Sequence, residues 1–304
     1  MAAQVRRWAR AWRERYPWEE VVFGFLFLIP LGVLTILFKI YPIFYSFYLS
    51  LTKWNGLAPT PTWVGLDNYA ALLQDATVYH ALLNTAYYSV GIIVVGLPLA
   101  LFLAALLNQR IRGRTFFRTV YFAPNIASTV AVSMVWLWLL NTRSGLINYL
   151  LSLAHVPAQD WLLNPRLAMP SVIAMTIWKD LGYDMVLFLA GLQGIPKEFY
   201  DAAKIDGAGT WGCFRHVTLP LLMPTTFLVL VLTTIGSFQV FTQVFVMTQG
   251  GPMGATDVIV YHIYSAAFEN FQLGYGAALS YVLFVILFVL TLLQRRVAGR
   301  DIYY

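Results

Sequence analysis

The chain has 304 residues, of which 59% are hydrophobic and only 11% are charged, and its mean hydropathy is +0.66. A soluble globular domain carries about 25% charged residues, so this composition excludes a water-soluble fold and predicts a polytopic membrane protein. The net charge of +6 does not indicate nucleic-acid binding, because the basic residues are distributed by membrane topology. The single cysteine, Cys213, excludes an intrachain disulfide.

Six stretches of the chain are long and apolar enough to cross a bilayer, which takes about 20 residues as a helix. They predict an all-α membrane protein with one transmembrane domain over residues 1–304, a bundle of six helices. The segment before the first span is polar and basic and does not resemble a cleavable signal peptide. The predicted spans are about 21–49, 86–107, 119–140, 167–195, 219–248 and 273–293.

Lysine and arginine are unevenly divided between the two sets of connections. The N-terminal segment, the loops after spans 2 and 4 and the C-terminal tail hold 15, and the alternate connections hold 3. Lys39 and Lys179 lie inside spans. Because basic residues collect on the cytoplasmic side, we expect a multi-pass membrane protein with both termini and the loop 196–218 in the cytoplasm.

That loop carries an unusual pattern between two apolar runs. Pro196 suits a helix start and Gly207 suits the position just past its end, so a helix of about ten residues is predicted along the membrane surface. The motif is Asp201-Ala202-Ala203, then Gly207 six residues after Asp201 and Val217-x-Leu219-Pro220 from position +16. An amphipathic connector explains the helix alone, but it does not explain the extended spacing.

The spacing resembles the cytoplasmic "EAA" loop of permease subunits in binding-protein-dependent ABC importers, with Asp201 in place of the family's glutamate. The stretches Trp63-Val64-Gly65-Leu66-Asp67-Asn68-Tyr69 and Thr248-Gln249-Gly250-Gly251-Pro252 resemble segments of the carbohydrate-uptake permeases, the group of maltose, lactose and glycerol-3-phosphate systems. The resemblance implies a coupling helix that contacts an ATPase through Glu198, Asp201, Ala202, Ala203, Gly207, Leu219 and Pro220.

The resemblance also implies the partners of this chain. They are a second homologous permease in a heterodimer, an ATPase dimer that binds ATP and magnesium, and an extracytoplasmic solute-binding protein, all within membrane lipid and without nucleic acid. None of the five lysines follows a glycine, so the chain lacks a P-loop. It is therefore expected to bind no cofactor and to have no enzymatic activity of its own.

Polar residues inside the fourth and fifth spans are candidates for a solute pathway, because ionisable groups within a membrane usually face the bundle interior or a wet cavity. A Lys–Asp pair that only joins helices, and glutamines that hydrogen-bond neighbouring helices, remain alternatives. The histidines have no metal-ligand spacing, so no metal site is predicted. The candidates are Thr176, Lys179, Asp180, Tyr183 and Asp184 in span 4 and Gly236, Gln239 and Gln243 in span 5.

The sequence thus predicts the permease subunit of an ABC importer that forms half of the pathway for a sugar or related polyol, driven by a separate ATPase. The alternatives are an importer for another solute class, a stand-alone channel and a membrane enzyme. An enzyme would require a catalytic carboxylate or histidine cluster at one membrane face, and a channel would not require the loop motif.

Overall fold

The computed structural model describes residues 18–109 and 111–298, and this part of the chain is almost entirely α-helical. Arg110, Arg300 and the basic segment 1–17 lie outside the described residues. The helices are α1 Trp18–Thr35, α2 Tyr41–Ser50, α3 Asp67–Gln74, α4 Ala76–Gly91, α5 Leu97–Asn108, α6 Arg114–Ile126, α7 Thr129–Leu139, α8 Leu146–Leu153, α9 Pro165–Gly194, α10 Lys197–Ile205, α11 Thr210–Cys213, α12 Leu219–Leu221, α13 Met223–Phe238, α14 Thr242–Met247, α15 Ile259–Tyr264 and α16 Leu273–Ala298.

Four short π-helical segments continue these helices; three of them join one helix to the next, and the fourth extends α15. They lie at Ile36–Ile40, Ile92–Gly96, Phe214–Thr218 and Ser265–Glu269. Among the described residues, strands are confined to one antiparallel hairpin, β1 Thr52–Lys53 and β2 Thr62–Trp63, which pairs Thr52 with Trp63 and Lys53 with Thr62.

Three continuous helices have the length and hydropathy of membrane spans, namely Val22–Ser50, Ala76–Asn108 and Leu273–Arg296. Two bent helix pairs have that length and hydropathy only when each pair is taken together: α6 meets α7 at 96°, and Thr210–Leu221 meets α13 at 64°. Helix α9 has 30 residues, about 45 Å at 1.5 Å per residue, but the charges at its centre exclude it from the apolar class. The fold class is as predicted, and the count of six spans stays a prediction.

Several helices that contain predicted spans extend beyond them or break within them. The helix of the second predicted span begins at Ala76, ten residues before Ala86, because the Asp75 side chain accepts a hydrogen bond from the Thr77 backbone N–H at 2.9 Å and caps the helix there. The third span turns sharply after Pro124, which cannot donate a backbone hydrogen bond. The fifth span ends as a helix at Phe238 and resumes at Thr242.

Helix α9 lies at the centre of the bundle and contributes to two of its three clusters of buried apolar side chains. One cluster joins α9 to α4, α7 and α14, and the other joins α9 to α5 and α13. A third cluster packs α16 against α3, α4 and α15. Because α9 is packed on several sides, the polar side chains of Ser171, Thr176 and Lys179 are buried within the bundle.

A polar network holds the end of the bundle that is remote from α10. Asp75 accepts hydrogen bonds from the hydroxyls of Thr77 and Tyr275, both at 2.6 Å, which joins α4 to α16. His262 Nδ1 lies 2.9 Å from Asp257 Oδ2, and this hydrogen bond raises the pKa of His262 above its usual value. The start of α16 also packs within the subunit, since Gly274 lies against the Thr52 carbonyl.

One glycine sets the closest approach of α9 to its neighbours. A Cβ atom at Gly182 would overlap the backbone carbonyl of Tyr121 in α6. Backbone atoms cannot rotate away as a side chain does, so a larger residue at this position must separate the two helices. Gly194, at the end of the same helix, has no atom within 4 Å of an added Cβ.

We therefore expect Gly182→Ala to lower the free energy of unfolding by about 1–3 kcal/mol, the usual cost of overpacking. The matched control is Gly194→Ala, which should leave stability unchanged or slightly improved. The measurement is the temperature at which half of the detergent-solubilised protein loses its folded, monodisperse state. Equal midpoints for the two variants would contradict this account of the α6–α9 contact.

Candidate functional site

A cavity of about 280 Å³ lies inside the bundle beside the middle of α9. Residues from five helices and from the π segment after α4 line it, and most of them carry hydroxyl, amide or carboxylate groups. They are Tyr88, Ile92, Asn125, Thr176, Asp180, Tyr183, Asp184, Leu232, Thr233, Gly236, Ser237 and Gln243.

Six of the eight residues that the sequence singled out for this region line the cavity, and two do not. Lys179 is buried beside the cavity. Gln239 is exposed and forms the C-cap of α13. The helix breaks between Phe238 and Thr242, so Gln239 does not share a continuous helix face with Gln243.

Two hydroxyls on facing helices form one wall of the cavity. The Tyr88 hydroxyl of α4 donates a hydrogen bond to Thr176 Oγ1 at 2.9 Å, and Thr176 Oγ1 donates to the Val172 carbonyl at 3.0 Å. Tyr88 is only 1% exposed. A buried tyrosine hydroxyl usually finds such a partner, so this pair fixes the distance between α4 and α9.

The charged residues of α9 have different partners. Lys179 Nζ lies 3.5 Å from Asp180 Oδ1, and the Lys179 side chain is only 8% exposed against 42% for Asp180. The Asn125 side chain of α6 donates to the same Asp180 oxygen at 3.4 Å. Asp180 therefore neutralises a buried ammonium and also faces the cavity.

Asp184 follows Asp180 by four residues, so both carboxylates lie on the same face of α9. No described residue donates a hydrogen bond to the Asp184 carboxylate. Its oxygens are half-buried and line the cavity. A carboxylate in this state has unused acceptor capacity for a group that enters the cavity.

Sequence reasoning missed four polar residues of the lining. Asn125 follows Pro124 inside an apolar stretch and is the one that could have been found, because a lone amide there requires a partner. Hydroxyl residues in a membrane helix often hydrogen-bond their own backbone, as Ser237 does to the Thr234 carbonyl at 3.0 Å, so they give no signal. The missed residues are Tyr88, Asn125, Thr233 and Ser237.

Two residues, Ile195 and Pro196, separate the short helix α10 from the end of α9. Pro196 is the N-cap of α10. Gly207 lies two residues after the last residue of α10 and has a φ of +85°. The Gly207 N–H donates to the Lys204 carbonyl at 3.0 Å, and the Ala208 N–H donates to the Ala203 carbonyl at 2.9 Å. This pair of bonds is a Schellman motif, which requires the left-handed backbone that glycine adopts without strain.

Helix α10 is attached to the bundle mainly through one residue. The Tyr200 ring packs against the cluster shared by α5, α9 and α13, and its hydroxyl lies 3.1 Å from Thr218 Oγ1. A cavity of about 500 Å³ separates the rest of α10 and α11 from the ends of α5 and α9. The helix is thus held at a distance from the bundle.

The outer side of α10 presents the motif residues to the surroundings. Glu198, Asp201 and Ala202 are exposed, and Ala203 is half-buried. Ile205 is 87% exposed, although it is a large apolar side chain. After the loop, Leu219 is 38% exposed and stands next to Pro220 in the short helix α12.

The family model described as the inner membrane component of binding-protein-dependent transport systems matches residues 96–300. The chain belongs to this family. It is therefore a membrane subunit of an ABC importer and not an enzyme, and its partners include a solute-binding protein and an ATPase.

Curated relatives of this permease match along almost their whole length. The sn-glycerol-3-phosphate transport system permease protein UgpA of Agrobacterium fabrum is 35% identical, and the match covers 93% of this chain and 97% of the relative. The arabinooligosaccharides transport system permease protein AraP of Bacillus subtilis is 33% identical, and the match covers 95% of this chain and 92% of the relative.

A solved structure has the same fold as the permease. It is the crystal structure of a bacterial ABC transporter involved in the import of the acidic polysaccharide alginate. One of its chains matches with a TM-score of 0.82 and 24% identity, and the match covers 97% of this permease and all of that chain. At this identity the likeness supports the fold alone.

The two carboxylates of the permease cavity should respond differently to neutralisation. We expect Asp180→Asn to lower the free energy of unfolding by about 1–3 kcal/mol, because the buried Lys179 ammonium loses its charged partner. Asp184→Asn is the matched control and should cause no loss, because it breaks no described hydrogen bond and removes a like charge next to Asp180. Thermal unfolding of the two variants in detergent measures the difference. Equal destabilisation would contradict the structural pairing of Lys179 with Asp180.

Proposed function

We propose that the permease forms half of the translocation pathway for a carbohydrate or related polyol and is moved by a separate ATPase through α10. The observation that carries the proposal is the continuity between the cavity and the motif loop. Helix α9 contributes Asp180 and Asp184 to the cavity and ends at Gly194, directly before α10. Asp184 and Gly194 are ten residues apart, about 15 Å along a helix.

This connection supports an alternating-access mechanism. A force on the exposed side of α10 reaches α9 through the two-residue link at Ile195 and Pro196 and through the Tyr200 anchor. Because α9 is packed on several sides, a displacement of its end shifts the helices that enclose the cavity. ATP-driven closure of the ATPase pair would thus open the cavity toward the loaded binding protein, and hydrolysis would reverse the movement.

The lining of the cavity supports a polyhydroxylated solute. Hydroxyl groups of a sugar need both donors and acceptors, and the cavity supplies amides, hydroxyls and carboxylates together with the Tyr183 ring, which is 41% exposed. The Trp178 ring of the same helix packs against the Trp136 ring, with 5.8 Å between the ring centroids. Of the two relatives, UgpA is named for sn-glycerol-3-phosphate and AraP for arabinooligosaccharides.

The charge distribution supports the cytoplasmic position of α10 and of both termini. Arg118 donates a hydrogen bond to the Leu107 carbonyl at 3.1 Å, so the loop between the second and third spans lies at the end of α5 that borders the α10 cavity. The described basic residues of this loop and of the α10 loop therefore share one end of the bundle. The excess of 15 over 3 fits a cytoplasmic location for that end.

A second, homologous permease would complete the pathway as a heterodimer. The first span, Val22–Ser50, has no buried residue in its most apolar window. The end of this helix packs on α16 through Phe47 and Tyr281. Most of the rest of it is exposed and is suited to lipid and to a partner subunit. In this proposal the cavity lining of the present chain is one wall, and the partner supplies the facing wall.

The coupling role of α10 is tested by Gly207→Pro. Proline cannot adopt the φ of +85° and has no N–H for the Lys204 carbonyl, so the Schellman cap is lost. We expect solute uptake by cells carrying the full set of subunits to fall at least about tenfold, while the variant still inserts in the membrane at normal amounts. The loss of coupling, not of folding, is the predicted cause.

The control is Gly209→Pro in the same loop, where φ is −72° and close to the value that proline fixes. Uptake by this variant should stay near the wild-type rate. Normal uptake by Gly207→Pro, or an equal loss in both variants, would overturn the proposal that the α10 cap transmits the motion of an ATPase.

A further inference from the structure

The cavity beside α9 has a charge imbalance that bears on which solutes it accepts. Asp180 and Asp184 are the only charged residues of its described lining, and they come from neighbouring turns of one helix. The other lining groups are hydroxyls, amides, a glycine and apolar side chains. A solute in this cavity therefore meets negative charge and neutral hydrogen-bonding groups.

The nearest cation does not offset this imbalance at the cavity surface. Lys179 is absent from the lining, its side chain is 8% exposed, and its ammonium lies 3.5 Å from Asp180. The buried Lys179 ammonium thus neutralises the Asp180 carboxylate from within the bundle and not from the cavity surface. Asp184 has no cationic partner among the described residues, so no neighbouring cation offsets its carboxylate when that carboxylate is ionised.

We infer that this half of the pathway is selective for uncharged polyhydroxylated solutes and rejects phosphorylated and uronic acid sugars. The inference rests on the proposed function and narrows its substrate class. Charge repulsion from Asp184 would oppose a phosphate or carboxylate group that enters the cavity, because few mobile ions and little bulk water screen charges there.

The lining also has the hydrogen-bond capacity that an uncharged sugar requires. Carboxylate oxygens accept bonds from sugar hydroxyls, and Asn125, Gln243 and Thr233 supply both donors and acceptors around them. The negative potential alone does not exclude a cationic amino sugar, so the identity of the solute is measured directly below.

The local potential can be measured without knowing the solute. Cys213 is the single cysteine of the chain and is replaced by alanine. A reporter thiol is then introduced by Gly236→Cys, since Gly236 lines the cavity and no atom lies within 4 Å of an added Cβ. In membranes with the complete transporter, the thiol is exposed to a cationic trimethylammonium-ethyl and an anionic sulfonatoethyl methanethiosulfonate. Mass spectrometry of this subunit gives the two modification rates.

We expect the ratio of cationic to anionic modification at Gly236→Cys to exceed the ratio for a free thiol by about tenfold or more. Adding Asp184→Asn should lower the ratio by about tenfold. The matched control is the reporter Gly194→Cys, which has the same open surroundings. It lies about 15 Å along α9 from Asp184, beyond a Debye length of about 8–10 Å, so its ratio should not respond to Asp184→Asn.

The outcomes separate the inference from the proposed function. If both reagents modify Gly236→Cys with the ratio of a free thiol and Asp184→Asn has no effect, the charge selectivity is wrong while the pathway stands. If neither reagent reaches Gly236→Cys while Gly194→Cys reacts, the cavity is not on an aqueous path and both proposals fail.

A second measurement addresses the solute itself. The binding protein that activates this transporter is denatured, and the solute that it releases is identified by mass spectrometry. We expect an uncharged sugar or polyol. A sugar phosphate, a uronate or an amino sugar would overturn the inference.

Discussion

The charges in the middle of α9 are the constraint on which the rest of the structure depends. A lysine and two aspartates cannot face lipid hydrocarbon, where each would lack both water and a partner. The bundle satisfies them by enclosing α9 on several sides, by placing Asp180 next to the buried Lys179 ammonium, and by leaving Asp184 at a cavity. The same helix is therefore the most enclosed element of the fold and the one with the most polar centre.

This arrangement places two contrasting elements in sequence along the chain. Helix α9 is packed on several sides, whereas α10, which follows after the two-residue link at Ile195 and Pro196, is exposed and held mainly by Tyr200. The Schellman motif at Gly207 ends α10 at a defined residue and turns the chain back toward the bundle. A short helix with a fixed end, attached to a helix that lines a cavity, is well suited to convert an external force into movement inside the bundle.

Much of this could be predicted from the sequence, because the relevant signals are local. The apolar stretches predicted the fold class, and Gly207 predicted where α10 ends. The candidate residues of α9 lie on one uninterrupted helix, and four of the five line the cavity, whereas Gln239 lies outside it where the helix breaks after Phe238. The helix of the second predicted span starts at Ala76, before the predicted apolar stretch, because Asp75 caps a polar first turn that hydropathy does not detect.

Other features depend on contacts between distant segments and left no trace in the local pattern. The hydroxyl of Tyr88 meets Thr176, 88 residues further along the chain. Asn125, in the last turn of α6, reaches Asp180 because α6 lies against α9, where Gly182 permits the close approach. The charge of the cavity likewise follows from the burial of Lys179 behind the surface, which a residue count cannot reveal.

The central claim is that this chain is half of a gate whose ATPase binds at α10. The most direct measurement is affinity purification of the chain from intact membranes in mild detergent, followed by identification of the subunits that accompany it. The account predicts a second, homologous permease and an ATPase in stoichiometric amounts, with the ATPase lost and the permease retained for Gly207→Pro. Purification of the chain without an ATPase, or unchanged recovery of the ATPase with Gly207→Pro, would contradict it.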